Sequence, residues 1–287
     1  MKSANTFARI VCTLLCLCAF TSASFAATKP LSYPRGLAVD AKGNLYVANS
    51  GGNDILVYNP NYGQTTAKTI TQNISNPSGV AFDPQGNLWV SNYGTSNGGA
   101  NGSVAEYTNG KQNTNASITS GILGPNAIAV DGLGNVWVEN DYINVTVYAP
   151  SYVYTQPYSL IRTLTPSPTV YGITVSDGAF SWGANGGVSQ VAATPVVVSG
   201  TISGFAYGND NGYALASDAS GQVYMGNTDG SVNIASPLVF EYGFLQLTFA
   251  PSGIAIDNAR GRVYLSNYNG NSISVYSTAG ALLHTIQ

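Results

Sequence analysis

Few side chains in this sequence could act as a nucleophile or a general base. The chain has one histidine, His284, and three cysteines, Cys12, Cys16 and Cys18, all close to its start. A hydrolytic triad requires a nucleophile, an adjacent base and a group that orients the base. His284 lies in a segment typical of an outer strand, so we expect it at the surface. We therefore expect no acid–base catalysis by histidine and no cysteine chemistry.

Glu139 is the one carboxylate that breaks a repeated pattern. At the equivalent position the other copies of the repeat have small residues: Ala48, Ser91, Ala184, Gly226 and Ser266. Because side chains alternate along a strand, Glu139 should point to the same side as Trp137, near Asn126, Asn140 and Tyr171. Burial there would raise the pKa of the carboxyl unless a partner stabilised its charge. Both a functional role and a local structural bond remain open.

The repeat is a phrase of Pro-x-Gly, an alternating apolar segment, Asp-x-x-Gly-Asn, and aromatic-x-x-Asn. Asp and Gly at these positions favour a tight turn between two strands. A period of about 43 residues made of short strands is typical of β-propellers. The sequence therefore predicts an all-β, six-bladed β-propeller of four-stranded antiparallel blades over residues 27–287. The copies are Pro34–Asn49, Pro77–Asn92, Pro125–Asn140, Tyr171–Asn185, Tyr213–Asn227 and Pro251–Asn267.

Two positions recur in every copy, an aromatic residue and the Asn three residues later. An aromatic residue at one register of every blade predicts packing between blades rather than stacking on a ligand. An Asn at a strand end can bond its own turn, which favours a structural role, although a ring of amides could also face a neutral polar partner. The aromatic residues are Tyr46, Trp89, Trp137, Trp182, Tyr224 and Tyr264.

Charge is scarce along the whole chain. Charged residues make up 8% of the sequence and the formal net charge is −3, whereas a typical domain has roughly 25% charged residues. Such a surface cannot neutralise a row of phosphates, so we expect no nucleic acid partner. A surface rich in Tyr and Asn suits contact with glycans or proteins, and equally suits solubility outside the cell.

The first residues are typical of a secretory signal peptide. Lys2 and Arg9 precede an apolar run, Ile10–Phe20, that is too short to span a bilayer, and small residues flank a cleavage site before Ala27. We expect residues 1–26 to be removed together with all three cysteines. The mature chain is then secreted or periplasmic, with no thiol, disulfide or membrane span.

The phrases Pro34–Tyr58 and Pro251–Tyr276 resemble the NHL repeat. The resemblance implies a propeller, and it extends distantly to calcium-dependent lactonases of the gluconolactonase type and to streptogramin lyases. In gluconolactonase-like propellers the metal ligands come mainly from the residue just before the Gly of an inner strand. The equivalent positions here are Arg35, Ser78, Asn126, Tyr171, Tyr213 and Ser252. Since only Asn126 suits a hard cation, we expect no cofactor, with calcium as an unsupported possibility.

The favoured hypothesis is an exported, monomeric, non-catalytic propeller that binds a protein or glycan through one face of its ring. The alternative is a divergent gluconolactonase-like or lyase-like enzyme that uses Glu139, Asn126 and Tyr171 in the mouth of the central channel. An adhesive or matrix component is a third possibility. The candidate ligand-binding residues are Arg35, Asn126, Glu139, Asn140, Tyr171 and Tyr213.

Overall fold

The structure is a computed structural model that describes residues 28–95, 101–150, 158–165, 170–176, 179–184, 187–192, 212–235 and 240–287. The expected signal peptide, residues 1–26, lies outside the described residues. The described residues form antiparallel strands and two single-turn 3-10 helices. Over these ranges the structure has no helix with the length and hydropathy needed to cross a bilayer.

Strand pairing divides the chain into six sheets, each made of consecutive strands. Sheet 1 contains β1 (Pro34–Val39), β2 (Leu45–Asn49) and β3 (Asp54–Tyr58). Sheet 2 contains β4 (Pro77–Phe82), β5 (Leu88–Asn92), β6 (Ser103–Thr108) and β7 (Lys111–Ile118). Sheet 3 contains β8 (Pro125–Val130), β9 (Val136–Asn140), β10 (Asn144–Pro150) and β11 (Tyr158–Leu164).

The second half of the chain repeats this order. Sheet 4 contains β12 (Val170–Ser176), β13 (Ala179–Ala184) and β14 (Gly187–Ala192). Sheet 5 contains β15 (Gly212–Ser217), β16 (Val223–Asn227), β17 (Ser231–Ala235) and β18 (Phe240–Gln246). Sheet 6 contains β19 (Gly253–Asp257), β20 (Arg262–Asn267), β21 (Ser272–Ser277) and β22 (Leu282–Ile286).

The Asp-x-x-Gly-Asn turn joins the first two strands of a sheet as its residue types require. Asp83 Oδ1 accepts hydrogen bonds from the amides of Gln85 and Asn87 at 3.0 and 2.8 Å. Gly86 takes φ of 83°, which glycine adopts without steric cost. Asp83 Oδ2 also accepts a hydrogen bond from Trp89 Nε1 at 3.2 Å, so the turn fixes the repeated aromatic side chain.

The hydrophobic core lies between neighbouring sheets rather than within one sheet. One cluster joins Leu37 and Val47 of sheet 1 to Tyr264 and Val275 of sheet 6, and similar clusters join sheets 1 and 2, 2 and 3, 3 and 4, and 5 and 6. The prediction of core packing is confirmed for the repeated aromatics Trp89, Trp137, Tyr224 and Tyr264, which are buried. Tyr46 is half-buried and meets Phe82 edge-on at 5.0 Å; the Trp182 side chain lies outside the described residues.

The first strands of the sheets form a closed ring. Each of β1, β4, β8, β12, β15 and β19 contacts the next, and β19 contacts β1. At this closure Ser252 Oγ donates to Pro34 O at 2.8 Å, and Ser78 Oγ donates to Pro125 O at the equivalent junction of sheets 2 and 3. All four strands of sheet 6 come from the C-terminal part of the chain. The ring therefore closes by side-by-side contact and not by a shared strand.

The fold is an all-β β-propeller of antiparallel blades, but the predicted count of six four-stranded blades is corrected. The propeller counts as five blades rather than six, although the hydrogen-bonded pairing of its strands gives six separate sheets. Sheets 1 and 4 have only three described strands. The described residues of sheets 4 and 5 share no hydrophobic cluster, and their copies of the phrase are the two that are degraded. Among the described residues, the two three-stranded sheets thus belong to one clear copy of the phrase, in sheet 1, and one degraded copy, in sheet 4.

Four-stranded blades predict a fourth strand in sheet 1 after β3, over residues 66–71, and this prediction is wrong. Thr66–Lys68 forms a single 3-10 turn, so only Ile70 reaches β3, where its backbone exchanges hydrogen bonds of 2.9 and 3.1 Å with Ile55. The amides of a 3-10 turn donate to carbonyls within the same turn, so they cannot pair with a neighbouring strand. The outer edge of sheet 1 is therefore irregular.

Candidate functional site

The central channel is closed by aliphatic side chains. Each inner strand contributes a small residue followed by an aliphatic one to the channel lining. We call these aliphatic residues the aliphatic ring: Leu37, Val80, Ile128, Ile173, Leu215 and Ile254. All six are buried. The cavity left in the channel has a volume of about 80 Å³, room for a few water molecules at roughly 30 Å³ each.

The small residues let the inner strands approach closely enough to make this closure. A Cβ on Gly36 would lie 2.6 Å from Gly79 Cα, and a Cβ on Gly253 would lie 2.2 Å from Arg35 O. Neither distance is compatible with a side chain. Because ligand pockets typically measure about 300–1,000 Å³, the channel itself cannot hold a substrate of ordinary size.

The end of the channel at which the inner strands begin is called the mouth face. Near this end the pairing of the first two strands contains a register shift, for example between Pro125 and Ala127 in sheet 3. Asn126 is the residue left over in this bulge, as Ser78 is in sheet 2. A bulge re-aims a side chain, and both residues line the channel cavity. The bulge therefore turns the side chains of Ser78 and Asn126 toward the mouth.

Glu139 lies beside this mouth and is completely buried. It is the penultimate residue of β9 and lies opposite Ala127. Its Oε1 accepts a hydrogen bond from the amide of Tyr142, whereas within the described part of the chain its Oε2 has no partner. Burial raises the pKa of Glu139 well above its usual value; the Tyr142 amide opposes this rise, Asp141 adds to it, and Asn126 opposes it.

Asn126 and Glu139 are neighbours, as the sequence predicts, but they are not a formed pair. Asn126 Nδ2 is buried and makes no hydrogen bond of normal geometry to the described residues. We therefore take its effect on the Glu139 carboxyl as a weaker electrostatic one. An unsatisfied buried amide and an unsatisfied carboxyl oxygen on the same side of the mouth each carry a cost of about 1–3 kcal/mol.

The turn that Glu139 bonds to is strained. Asp141 and Tyr142 have φ of 44° and 62°, and the Ile143 amide donates to Asn140 O at 2.8 Å. A two-residue turn with both φ values positive is normally built from Asn-Gly, since a bulky residue there is unfavourable. The carboxyl of Glu139 thus holds a backbone conformation that the sequence of the turn does not favour.

This turn presents apolar side chains to solvent. Tyr142 is 38% exposed, Ile143 is 54% exposed and Leu123 is 44% exposed. The Asp141 amide donates to Gly124 O at 2.9 Å, which ties the turn to the segment carrying Leu123. We call Leu123, Tyr142 and Ile143 the sheet-3 patch. It lies on the mouth face, at the start of β8 and the end of β9.

The hydrogen bonds of Asn140 give it a structural role. It is buried, its Oδ1 accepts from the Leu123 amide at 3.1 Å, and its Nδ2 donates to Asn144 Oδ1 and Thr146 Oγ1 at 3.0 and 2.9 Å. Asn49 is bonded in the same way to the Ser32 amide at 2.6 Å. The contacts of these residues favour the structural alternative over amides presented to a ligand.

The other predicted site residues divide into two groups. Arg35 does not line the cavity; its guanidinium lies 5.2 Å from the ring centroid of Tyr268, which also meets Tyr33 at 4.9 Å. Tyr171 and Tyr213 lie on β12 and β15, directly before the lining residues Gly172 and Ala214. Their side chains lie outside the described part of the structure.

Sequence reasoning missed the residues that the mouth face exposes. The sheet-3 patch, Tyr33 and Tyr268 were not among the predicted site residues. A signal was present, because Asp141-Tyr142 replaces the glycine that such a hairpin turn prefers, and Tyr268 directly follows the repeated Asn. Both features are visible only when departures from the repeat are compared copy by copy.

The donor set at the mouth does not suit a hard cation. Among the residues that the structure describes, no three His, Cys, Asp or Glu side chains come close enough to share a metal ion. Ser78 and Ser252 donate their hydroxyls to backbone carbonyls of Pro125 and Pro34. Calcium requires six to eight oxygen ligands, so Glu139 and Asn126 alone would not hold it.

Comparisons with known proteins support the propeller fold but do not identify a function. The family model of the NHL repeat matches residues 31–58. No curated protein matches the chain. A solved structure titled "Streptogramin B lyase structure" is similar with a TM-score of 0.59 and 12% identity, over 91% of this chain and 85% of that chain. At this identity the likeness concerns the propeller fold alone, and the NHL match covers one copy of the phrase.

Proposed function

We propose that this protein is an exported, non-catalytic, monomeric propeller that binds a partner through its mouth face, and that the partner is a protein. The sheet-3 patch carries the proposal, because two aliphatic residues and a tyrosine are held in solvent by a strained turn. An exposed apolar cluster bordered by polar residues is typical of protein–protein contact. Aliphatic exposure favours a protein partner over a glycan.

The closed channel supports a surface function rather than catalysis. The aliphatic ring leaves a cavity of about 80 Å³, and two of the three polar side chains in its lining, Ser78 and Ser252, already donate to backbone carbonyls. His284, the only histidine, lies on β22 at the outer edge of sheet 6, far from the inner strands in its sheet. No cofactor is part of this proposal.

The arrangement around Glu139 fits a binding surface. A buried carboxyl with a raised pKa costs stability, and here it bonds the amide of Tyr142 in a left-handed conformation. Strained backbone at a functional position persists only where neighbouring groups hold it. The cost is consistent with selection for the shape of the sheet-3 patch rather than for stability.

A capture experiment with two matched variants tests the proposal. Wild-type protein, Ile143→Asp and Leu133→Asp would each be immobilised and exposed to the secreted proteins of the producing cells. Leu133 is 71% exposed on the turn at the opposite end of sheet 3. We expect a partner retained by the wild type and by Leu133→Asp and lost with Ile143→Asp. Retention of nothing, or equal loss with both variants, would contradict the proposal.

Export has its own test. We propose that cleavage before Ala27 releases the chain to the periplasm or the medium, which the composition of residues 1–26 supports. The intact mass and N-terminal sequence of the protein recovered outside the cytoplasm should begin at Ala27. Recovery of a chain that still begins at Met1 would contradict this part of the proposal.

A lyase-like enzyme is the second candidate, because Glu139 Oε2 and Asn126 Nδ2 are buried beside the mouth and have no hydrogen-bond partner among the residues that the structure describes. One solved structure with a similar fold is titled "Streptogramin B lyase structure". Incubation with streptogramin B, followed by mass spectrometry, tests this candidate directly. Turnover by the wild type that disappears in Glu139→Gln would replace the binding proposal, and we expect no turnover by either protein.

A further inference from the structure

A second cavity lies at the seam where sheet 1 meets sheet 6, on the outer side of the ring. It has a volume of about 440 Å³, inside the range of about 300–1,000 Å³ typical of small-molecule sites. Its wall includes Tyr58, Tyr62 and Gln64 from sheet 1 and the loop after it, and His284 from β22. We call it the seam pocket. It shares no lining residue with the channel.

The aromatic part of this wall is held in place. The Tyr62 and His284 rings are stacked, with centroids 4.3 Å apart and planes 9° apart. Arg262 lies 5.0 Å from the Tyr62 ring centroid and donates from Nη1 to Pro60 O at 2.6 Å. Tyr62 therefore has a cation and a second ring against it, and its position does not depend on a ligand.

The backbone at Tyr62 is also fixed in an unfavourable conformation. Its φ is 67°, a left-handed value that bulky residues rarely adopt. The Tyr62 amide donates to Asn59 O at 2.8 Å, and Asn59 Oδ1 accepts from the amides of Asn61 and Gly63 at 2.8 and 3.2 Å. The surrounding hydrogen bonds hold Tyr62 in this strained conformation. Strain that is maintained in this way points to a role for the Tyr62 side chain.

Polar groups with unused hydrogen-bonding capacity face the same cavity. Tyr58 Oη accepts from Gln64 Nε2 at 3.3 Å, and the described residues give its own proton no acceptor. Burial, more than nearby Asp54, raises the pKa of Tyr58, so the hydroxyl remains a donor. The His284 imidazole forms no hydrogen bond with the described part of the chain, which leaves one donor and one acceptor on its ring.

The pocket has little net charge to offer a ligand. Lys29, the charged side chain in its wall, is paired with Asp54 at 2.8 Å. Gln64 is bonded through both amide atoms to the Lys29 backbone, at 2.7 Å each. The wall therefore offers an aromatic surface, the Tyr58 hydroxyl and the His284 imidazole, and it also contains Thr28, Thr285 and Gln287.

We propose that the seam pocket binds a neutral carbohydrate ring, with a C–H face of the sugar against the face of the His284 ring that is turned away from Tyr62, and sugar hydroxyls bonded to Tyr58 and His284. A pyranose presents an apolar face and a rim of hydroxyls, which matches this combination of groups. An aromatic molecule would use the ring but not the donors, and the charge of Lys29 is already paired with Asp54. This site is independent of the mouth face and of the protein partner proposed for it.

The sole histidine gives a direct test by NMR. In untagged protein the His284 ring supplies the only imidazole resonance, so its chemical shift reports on this pocket alone. The probes are the methyl glycosides of glucose, galactose, mannose and N-acetylglucosamine, with indole as the aromatic competitor. We expect at least one glycoside to move the resonance saturably, with a Kd on the order of 1 mM for a single sugar.

Three variants make the result specific. Tyr58→Phe keeps the ring and removes the donor, and Tyr62→Ala removes the ring that holds His284 in position; each should weaken binding of that glycoside at least tenfold. Ile143→Ala, on the mouth face, should leave the titration unchanged. Tyr58→Phe keeps the test valid if Tyr62→Ala does not fold. No shift with any glycoside, a shift with indole alone, or equal binding by wild type and Tyr58→Phe would overturn the proposal.

Discussion

The central channel and the seam pocket are two cavities of one ring, and they differ in how the repeat builds them. Every inner strand gives the channel the same pair of residues, and the resulting aliphatic ring leaves about 80 Å³. The seam pocket has about 440 Å³ and combines two strands of the repeated sheets, β3 and β22, with the loop around Tyr62 that follows β3. The repeated aliphatic residues fill the central channel, whereas a loop outside the repeated phrase borders the larger cavity at the edge of the ring.

Glu139 follows the same rule on the mouth face. Its equivalents in the other copies are small, and the turn after it contains Asp141-Tyr142 at positive φ. The result is an exposed patch on sheet 3. Positions that recur in every copy carry the fold, and positions that break the pattern carry the candidate functions. The following predictions test each side of this contrast, from the largest expected effect to the smallest.

Truncation of a repeated aromatic residue should have the largest effect. Trp137→Ala removes a fully buried ring whose Nε1 donates to Asp131 at 3.1 Å. We expect a loss of about 3–5 kcal/mol in the free energy of unfolding, measured with denaturant. The control Leu133→Ala, at an exposed position of the same sheet, should change it by less than about 0.5 kcal/mol. A loss below about 1 kcal/mol for Trp137→Ala would contradict packing between sheets.

A methyl group at the ring closure should have the next largest effect. Gly253→Ala would place Cβ 2.2 Å from Arg35 O, a backbone atom of the first sheet. We expect a loss of about 1–3 kcal/mol, because neither strand can move without opening the ring. Gly132→Ala is the matched control, since no atom lies within 4 Å of its added Cβ. Equal thermal stability of the two variants would mean that β19 and β1 are not in close contact.

Glu139→Gln should change how stability depends on pH. Because burial raises the pKa of Glu139 in the folded state, its protonated form favours folding below the unfolded pKa of about 4.5, and this contribution is lost as pH rises through the folded pKa. The variant should equal the wild type near pH 4 and exceed it near pH 8 by on the order of 1 kcal/mol. Denaturant unfolding at both pH values is the measurement. A wild type that is the more stable protein near pH 8 would show that the carboxylate has a favourable partner.

Relief of strain at the turn should have the smallest effect. Tyr142→Gly places glycine at φ of 62° and should gain up to about 1 kcal/mol in the free energy of unfolding. Tyr142→Ala retains the unfavourable conformation and should show no such gain. Both variants remove the same aromatic ring from the sheet-3 patch, so their difference isolates the backbone. Equal unfolding curves would mean that the turn is not strained.

The sequence predicts the strands and turns well because each is encoded locally. The apolar and aromatic residues of the first copy predict its second and third strands at Leu45–Ala48 and Ile55–Tyr58, and the structure has these strands at Leu45–Asn49 and Asp54–Tyr58. The fourth is wrong because nothing in residues 66–71 distinguishes an edge strand from a 3-10 turn. The prediction of six blades counts six copies of the phrase, two of which, in sheets 4 and 5, are degraded.

The candidate site could be predicted only in part. Asn126 and Glu139 are correctly placed near each other, because both follow from the pairing of β8 with β9. The bulge pairs Asn140 with Pro125 instead of Asn126, and such a register shift depends on contacts between sheets. The seam pocket combines residues more than two hundred positions apart, so no local pattern could indicate it.

A cation titration tests most directly whether the axis of the ring is closed to ligands. Calcium and magnesium would each be added to wild-type protein and to Glu139→Gln, and the melting temperature would be followed. A metal bound only by the folded state must raise that temperature. We predict no difference between the two proteins at any concentration of either ion. A rise in the wild type that is absent in Glu139→Gln would contradict the proposal of a closed, non-catalytic channel.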